Sequence, residues 1–162
     1  MYNLCSKIYS IIEKEKPNFL LIEVGGTIGD AESIPFVEAI SQFIIEYKKE
    51  NVLSCLLCPL INLSATSNEL KTKPTQHSIR QLRSMGIDPN FLILRTNTKI
   101  DENVIEKLHT TSHIDKKNIF ISPNLNSIYD LPDILYKQQM HLTILNFFSI
   151  KYNKNDDNFE KK

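Results

Sequence analysis

Apolar residues recur at helical spacing in residues 3–15, where Leu4, Ile8, Ile11 and Ile12 share a face, and Pro17-Asn18 ends the run. The period then changes. Residues 19–24 read Phe-Leu-Leu-Ile-Glu-Val, a nearly unbroken apolar stretch that predicts a buried strand of a parallel sheet. Ser33-Ile-Pro-Phe predicts a helix start with Ser33 as N-cap, and Phe36, Ile40, Phe43, Ile44 and Tyr47 form its expected buried stripe. A second strand is expected at 52–60. The polar loop 62–74 leads to a helix at about 75–85, closed by Gly86 as C-cap. A third strand at 91–95, a helix at 102–112, a short fourth strand at 119–122 and a mainly helical 134–148 complete the pattern. Strands alternating with helices imply an α/β fold with parallel pairing and right-handed crossovers. Residues 1–150 read as one unit, and 151–162, polar and charge-mixed, as a frayed tail or the start of a linker.

Composition narrows the function. At 162 residues the chain can bury one good core, and 41% hydrophobic with 23% charged residues describes an ordinary globular protein. The 19 basic and 19 acidic side chains cancel, which argues against a nucleic-acid partner, since such proteins carry a basic excess or stripe. No apolar run approaches the roughly 18 residues of a membrane span, and no secretory signal pattern opens the chain, so the expectation is a cytoplasmic protein without a membrane partner. Three cysteines make no disulfide framework. Cys55-Leu-Leu-Cys58 has the spacing of a zinc or redox pair, but it lies inside an expected strand, so core packing is expected for it. His109 and His113 could share a helix face, yet no glutamate sits beside them in a zincin pattern, and surface positions are expected.

Two stretches carry candidate chemistry. Lys71-Thr72-Lys73-Pro74-Thr75-Gln76-His77-Ser78 crowds lysines, hydroxyls and an amide around a proline. Ammonium groups neutralise phosphate, hydroxyls and backbone N–H groups bond its oxygens, and Pro74 lowers the entropy cost of ordering the loop. A nucleotide triphosphate suits such a loop; a solvated basic turn is the alternative. Upstream, three of the chain's 4 glycines fall at positions 25, 26 and 29, among Glu23, Asp30 and Glu32. Ligands of open α/β sheets bind beyond the carboxyl ends of strands, where these groups are expected. Either this is a metal or polar-ligand site, or it is a tight turn with acids offsetting a helix dipole.

The stretch Glu-Val-Gly-Gly-Thr-Ile-Gly-Asp-Ala-Glu-Ser-Ile-Pro-Phe-Val-Glu-Ala-Ile (23–40) resembles the matching signature of the CTP synthase family. So do Lys71 to Ser78, the following Leu82-Arg83-Ser84-Met85-Gly86-Ile87, then Leu92-Ile93-Leu94-Arg95, and Asn126-Ser127-Ile128-Tyr129 with Leu131-Pro132. The similarity runs from about residue 18 to about 140, in family order. It implies the central and C-terminal part of an amidoligase (synthetase) domain: an incomplete Rossmann-like sheet of the P-loop NTPase type with flanking helices. The sequence holds no Walker-type Gly-Lys-Ser/Thr loop. The resemblance implies that this loop and a metal-binding aspartate belong to a preceding segment and a glutaminase domain to a following one.

The family reaction uses ATP to phosphorylate the uracil 4-oxygen of UTP, and glutamine-derived ammonia then displaces phosphate to give CTP. The resemblance implies Mg²⁺ as cofactor with Glu23 as ligand. It implies UTP contacts from Lys71, Thr72, Lys73, Thr75, Gln76 and Lys107, with Lys71 also catalytic. Product CTP is implied at Asp30, Glu32, Lys71, Gln76 and Lys107, and ATP at Arg95. A homotetramer is implied for the complete enzyme, and inactivity for this chain alone. Three departures stand out: Asn68 where the family has glycine before a glutamate, Pro123-Asn124 in place of a lysine-aspartate pair near adenine, and Ser41 where arginine or glutamine is expected. They fall on adenine recognition and nucleotide-site electrostatics, whereas the Mg²⁺ and UTP stretches match. A non-catalytic UTP/CTP-binding subunit or a decayed fragment is the alternative.

Overall fold

In a computed structural model of the chain, which describes residues 2–62 and 70–152, helices α1 (Tyr2–Glu15) and α2 (Ile34–Tyr47) pack together. Aromatic rings join them: Phe43 and Tyr47 stack at 5.0 Å, and Tyr9 lies 5.2 Å from Phe43 and donates its hydroxyl to Glu46 at 2.9 Å. Strands β1 (Cys55–Pro59), β2 (Ile61–Asn62) and β3 (Leu70–Lys71) follow, then helix α3 (Lys73–Ser84) and strand β4 (Phe91–Thr96). Helix α4 (Glu102–Ser112), strand β5 (Ile119–Pro123) and helices α5 (Leu131–Lys137) and α6 (Met140–Phe147) complete the order.

The chain forms a mixed α/β, Rossmann-like arrangement: a three-stranded parallel sheet in the order β1-β4-β5, flanked by helices. Leu56 faces Leu92, Leu92 faces Ile119, and Cys58 faces Leu94 in register. Alternation along strands therefore puts Leu56, Cys58, Leu92, Leu94 and Ile119 into one core with Ile79 and Leu82 of α3, Leu108 of α4, and Val37 and Ile44 of α2. On the other face Phe91 meets Phe120 at 5.5 Å and Phe147 of α6 at 6.5 Å. Leu92 and Leu94 are 0% exposed, and burying each stabilises the fold by about 1.5–3 kcal/mol.

Asn90 pins the register. Its side-chain oxygen accepts from Ser54 N–H at 2.8 Å, its own N–H donates to Ser54 at 2.8 Å, and its carbonyl accepts from the Asn118 amide at 3.2 Å. One residue thus ties together the starts of all three strands. At the outer edge of β5, the Gln138 amide imitates one rung of a further strand: Nε2 donates to the Ile121 carbonyl and Oε1 accepts the Ile121 N–H, both at 2.8 Å. The β1 edge is different, with Leu57 60% exposed and Pro59, which has no N–H to offer a neighbour, at its end.

The largest departure from the expected pattern is at residues 19–24, which form no strand. Leu21 is 94% exposed and Phe19 and Ile22 are about half exposed. An apolar run becomes a buried strand only when a neighbouring strand satisfies its backbone groups, and among the described residues none pairs with it. Phe19 instead meets Phe148 edge-on at 5.8 Å, and Val24 packs against the core.

Smaller corrections have local causes. The expected strand at 52–60 shortens to β1, and α3 begins two residues early, at Lys73, because Pro74 suits a first helical turn. The buried stripe of α2 is Val37, Ala39, Phe43 and Ile44, while Phe36 is half exposed, one step off the expected face. The last helical stretch breaks between α5 and α6, where Gln139 takes a left-handed φ of 60°. Cys58 is buried, which pushes its thiol up to about 11 against a weaker pull from Ser78, whereas Cys55 is exposed rather than part of the core. His113 is exposed as expected; His109 is half-buried, its Nδ1 2.7 Å from the Ile114 carbonyl. Gly86 follows α3 with φ +86° as expected, and a Cβ there would strike Ser41 Oγ. Asn68, and the tail at 153–162, lie outside the described residues.

This packing makes a sharp contrast measurable in urea unfolding. Leu94→Ala should lose about 2–5 kcal/mol, and Leu21→Gln should stay within about 0.5 kcal/mol of wild type. Comparable losses for both would show residues 19–24 buried in solution.

Candidate functional site

Strand β3 pairs antiparallel with β2, Lys71 opposite Ile61, and runs directly into α3. Thr72 precedes the helix with φ −89° and gives no side-chain cap to its first N–H groups. Its Oγ1 is used otherwise, accepting from Gln76 Nε2 at 3.1 Å. Lys71 is half-buried and Lys73 exposed. Thr75 is 1% exposed, and its buried hydroxyl has no hydrogen-bond partner. A first turn with uncapped N–H groups and two lysines at its entrance favours an anion through both the helix dipole and formal charge.

The glycine-rich segment folds into a turn locked by Ser33. The Ser33 hydroxyl, 4% exposed, donates to the carbonyls of Thr27 at 2.9 Å and Asp30 at 3.0 Å. It therefore ties the turn together and does not accept from the first N–H groups of α2, as an N-cap would. Gly29 has φ +94°, and a Cβ on it would collide with the amide of Gln81 on α3. That close approach packs the glycine turn against α3 at Gln81, three residues beyond the second candidate stretch. The Asp30 and Glu32 residues are exposed beside it.

Glu23 is also exposed and ends no strand, so burial does not compel it to hold a cation. Among the described residues, no three His, Cys, Asp or Glu side chains gather into a metal-holding group. Glu23 offers a single carboxylate, and the described residues do not by themselves build a Mg²⁺ centre. Lys107 is exposed on α4, its carbonyl accepting from Thr111 at 2.7 Å. Arg95 lies at the carboxyl end of β4, where its Nε donates to Asn124 Oδ1 at 3.1 Å.

Sequence reasoning missed Gln81, which backs Gly29, the turn-locking use of Ser33, and Asn124 as partner of Arg95. The first depends on tertiary approach, whereas the second is local, its partners Thr27 and Asp30 lying within the same turn. The third had a signal in the Pro123-Asn124 departure, but the strand register was needed to read it.

The parallel sheet flanked by helices defines an α/β protein of Rossmann-like arrangement. Residues 2–150 match the family described as CTP synthase N-terminus, and the chain belongs to that family. A relative from Ureaplasma parvum serovar 3 is 48% identical over 150 residues, 93% of this chain and 27% of its own length. The CTP synthase of Pelagibacter ubique is 39% identical over 142 residues, 88% of this chain and 26% of its own length. That of Desulfitobacterium hafniense is 39% identical over 147 residues, 90% of this chain and 27% of its own length. The chain thus spans about a quarter of the length of the curated relatives it matches. Among the described residues, no helix is long and apolar enough to cross a membrane.

The orphaned hydroxyl of Thr75 gives a direct test of this geometry. Thr75→Val, nearly isosteric, should leave stability unchanged or raise it by about 1 kcal/mol, because an unsatisfied buried group is removed. A loss above about 1 kcal/mol in denaturant unfolding would mean that Oγ1 is bonded in solution.

Proposed function

We propose that the chain supplies the UTP- and CTP-binding part of a CTP synthase synthetase domain, a ligase of pyrimidine nucleotide biosynthesis that aminates UTP to CTP. The observation that carries this reading is the uncapped first turn of α3, entered through Lys71, Thr72 and Lys73 within a family match covering residues 2–150. In this reading Lys71 and Lys73 neutralise the triphosphate of UTP while Thr72, Thr75 and Gln76 make directional bonds to it. Lys71 has the catalytic role of stabilising charge as phosphate is transferred, since phosphoryl transfer depends chiefly on positioning and electrostatics. Asp30 and Glu32, beside α3, contact product CTP, which shares the triphosphate pocket with UTP. Lys107 reaches both nucleotides, and Arg95 serves ATP.

ATP phosphorylates the uracil 4-oxygen, and ammonia released from glutamine by a glutaminase domain displaces that phosphate. Glu23 would offer one carboxylate to a Mg²⁺ ion, which would supply positive charge against the phosphates during transfer. The complete protein acts as a cytoplasmic homotetramer, and this chain alone does not turn over.

Isothermal titration with UTP tests the reading. Wild-type chain should bind, and Lys71→Ala should lose about 1–3 kcal/mol of binding, the scale of a charge-assisted hydrogen bond, with an unchanged melting temperature. Normal UTP binding with early melting would make Lys71 structural. In the same preparation UTP, ATP and ammonia should yield no CTP, and measurable CTP would contradict the inactivity of the isolated chain.

A further inference from the structure

The two edges of the parallel sheet are finished differently. At β5 the Gln138 amide occupies the rung that a further strand would use, bonding the Ile121 N–H and carbonyl at 2.8 Å each. At β1 no strand pairs with the outer edge among the described residues. Backbone groups of alternate residues point to opposite edges of a strand. Ser54 and Leu60 bond toward β4: the Ser54 carbonyl accepts from Phe91 N–H at 3.1 Å, and Leu60 N–H donates to the Arg95 carbonyl at 2.8 Å. By that alternation Cys55, Leu57 and Pro59 direct their backbone groups outward.

The side chains of the same residues are apolar and uncovered. Leu56 and Cys58 enter the core, so Leu57 lies on the other face, where Phe147 of α6 reaches Phe91 of β4 while Leu57 stays 60% exposed. Parallel strands are ordinarily covered on both faces, and open edges are ordinarily blunted by charge. β1 reads Cys-Leu-Leu-Cys-Pro without a charged side chain, and the formal net charge of the chain is zero, so no net repulsion opposes a second copy.

Two copies of β1 fit each other about a two-fold axis at Leu57. Antiparallel pairing there lets each Leu57 N–H donate to the Leu57 carbonyl of the second copy, and each Cys55 N–H to its Pro59 carbonyl. Pro59 has no N–H to return, which ends the ladder and keeps it short. The two Leu57 side chains stand directly opposite each other and cover the surface that each exposes alone.

We propose that the outer edge of β1 is a self-recognition surface, pairing two copies of this chain antiparallel through Leu57 into one continuous sheet. No residue of the proposed nucleotide site takes part in the contact.

Sedimentation velocity of the 162-residue chain over a concentration series tests this, with a thermal melt of each protein. Wild type should move with concentration from the 18.7 kDa monomer to twice that mass. Leu57→Lys and Leu57→Glu each set like charges face to face at the axis, so each should weaken self-association at least about tenfold while melting as the wild-type monomer does. An equimolar mixture of these two variants should recover the dimer, because opposite charges then face each other. Ile45→Lys, at a 78% exposed position on α2, should dimerise as wild type does. A wild type that stays monomeric throughout, dimers that survive both Leu57 variants, or a mixture that fails to recover would each overturn the inference. Loss of the dimer in Leu21→Lys but not in Leu57→Lys would overturn it too, moving the contact to residues 19–24. UTP titration of Leu57→Lys should match wild type, so the nucleotide reading stands or falls separately.

Discussion

Everything in this fold hangs on the burial of β4 from both sides. Leu92 and Leu94 close the helix-covered face and Phe91 closes the other, while β1 and β5 satisfy its backbone groups on both edges. A strand in that position cannot shift register by one residue without turning Leu92 and Leu94 onto the Phe91 face. Asn90 reinforces the constraint by bonding to the residues that precede both neighbours. The ends of β4 are consequently fixed in space, and Arg95 inherits that fixity.

Helix α3 transmits the same constraint to the other half of the site. Its buried face places Ile79 and Leu82 in the core formed with β1 and β4, and Gln81, on the same helix, lies against Gly29. The first turn, with Lys73 exposed and Thr75 buried, is therefore held by the packing two turns further along. A loop carrying the same residues would have to be ordered at the moment of binding, at a cost of about 1–2 kcal/mol per residue in backbone entropy. Core packing thus pre-orders the helix turn proposed to meet an anion.

Local signals in the sequence were sufficient where structure is locally determined. Gly86 after an amphipathic run marks the end of α3, and residues 102–112 form α4 as their periodicity predicts. The parallel sheet follows from alternating strands and helices. Residues 19–24 misled because an apolar run states only that burial would be favourable, not that a partner strand is adjacent. Phe36 misled because helical spacing admits two neighbouring stripes, and the choice of Val37 and Ile44 is made by the surface α2 meets. At the site, Thr72 and Gln76 stood out together within one stretch, but their mutual bond at a spacing of four came from the structure. The approach of Gly29 to Gln81 and of Arg95 to Asn124 spans distant sequence and depends on the fold.

The central claim is that the first turn of α3, on a helix that the glycine turn packs against further along, is where this chain meets a nucleotide triphosphate. Backbone amide NMR of the labelled chain during UTP addition tests it most directly. Shifts concentrated at residues 71–76 and around Gly29 and Asp30, with the amides of β4 unmoved, are the predicted result. Saturable binding whose shifts lie elsewhere, or no shifts at residues 71–76 at millimolar UTP, would contradict it.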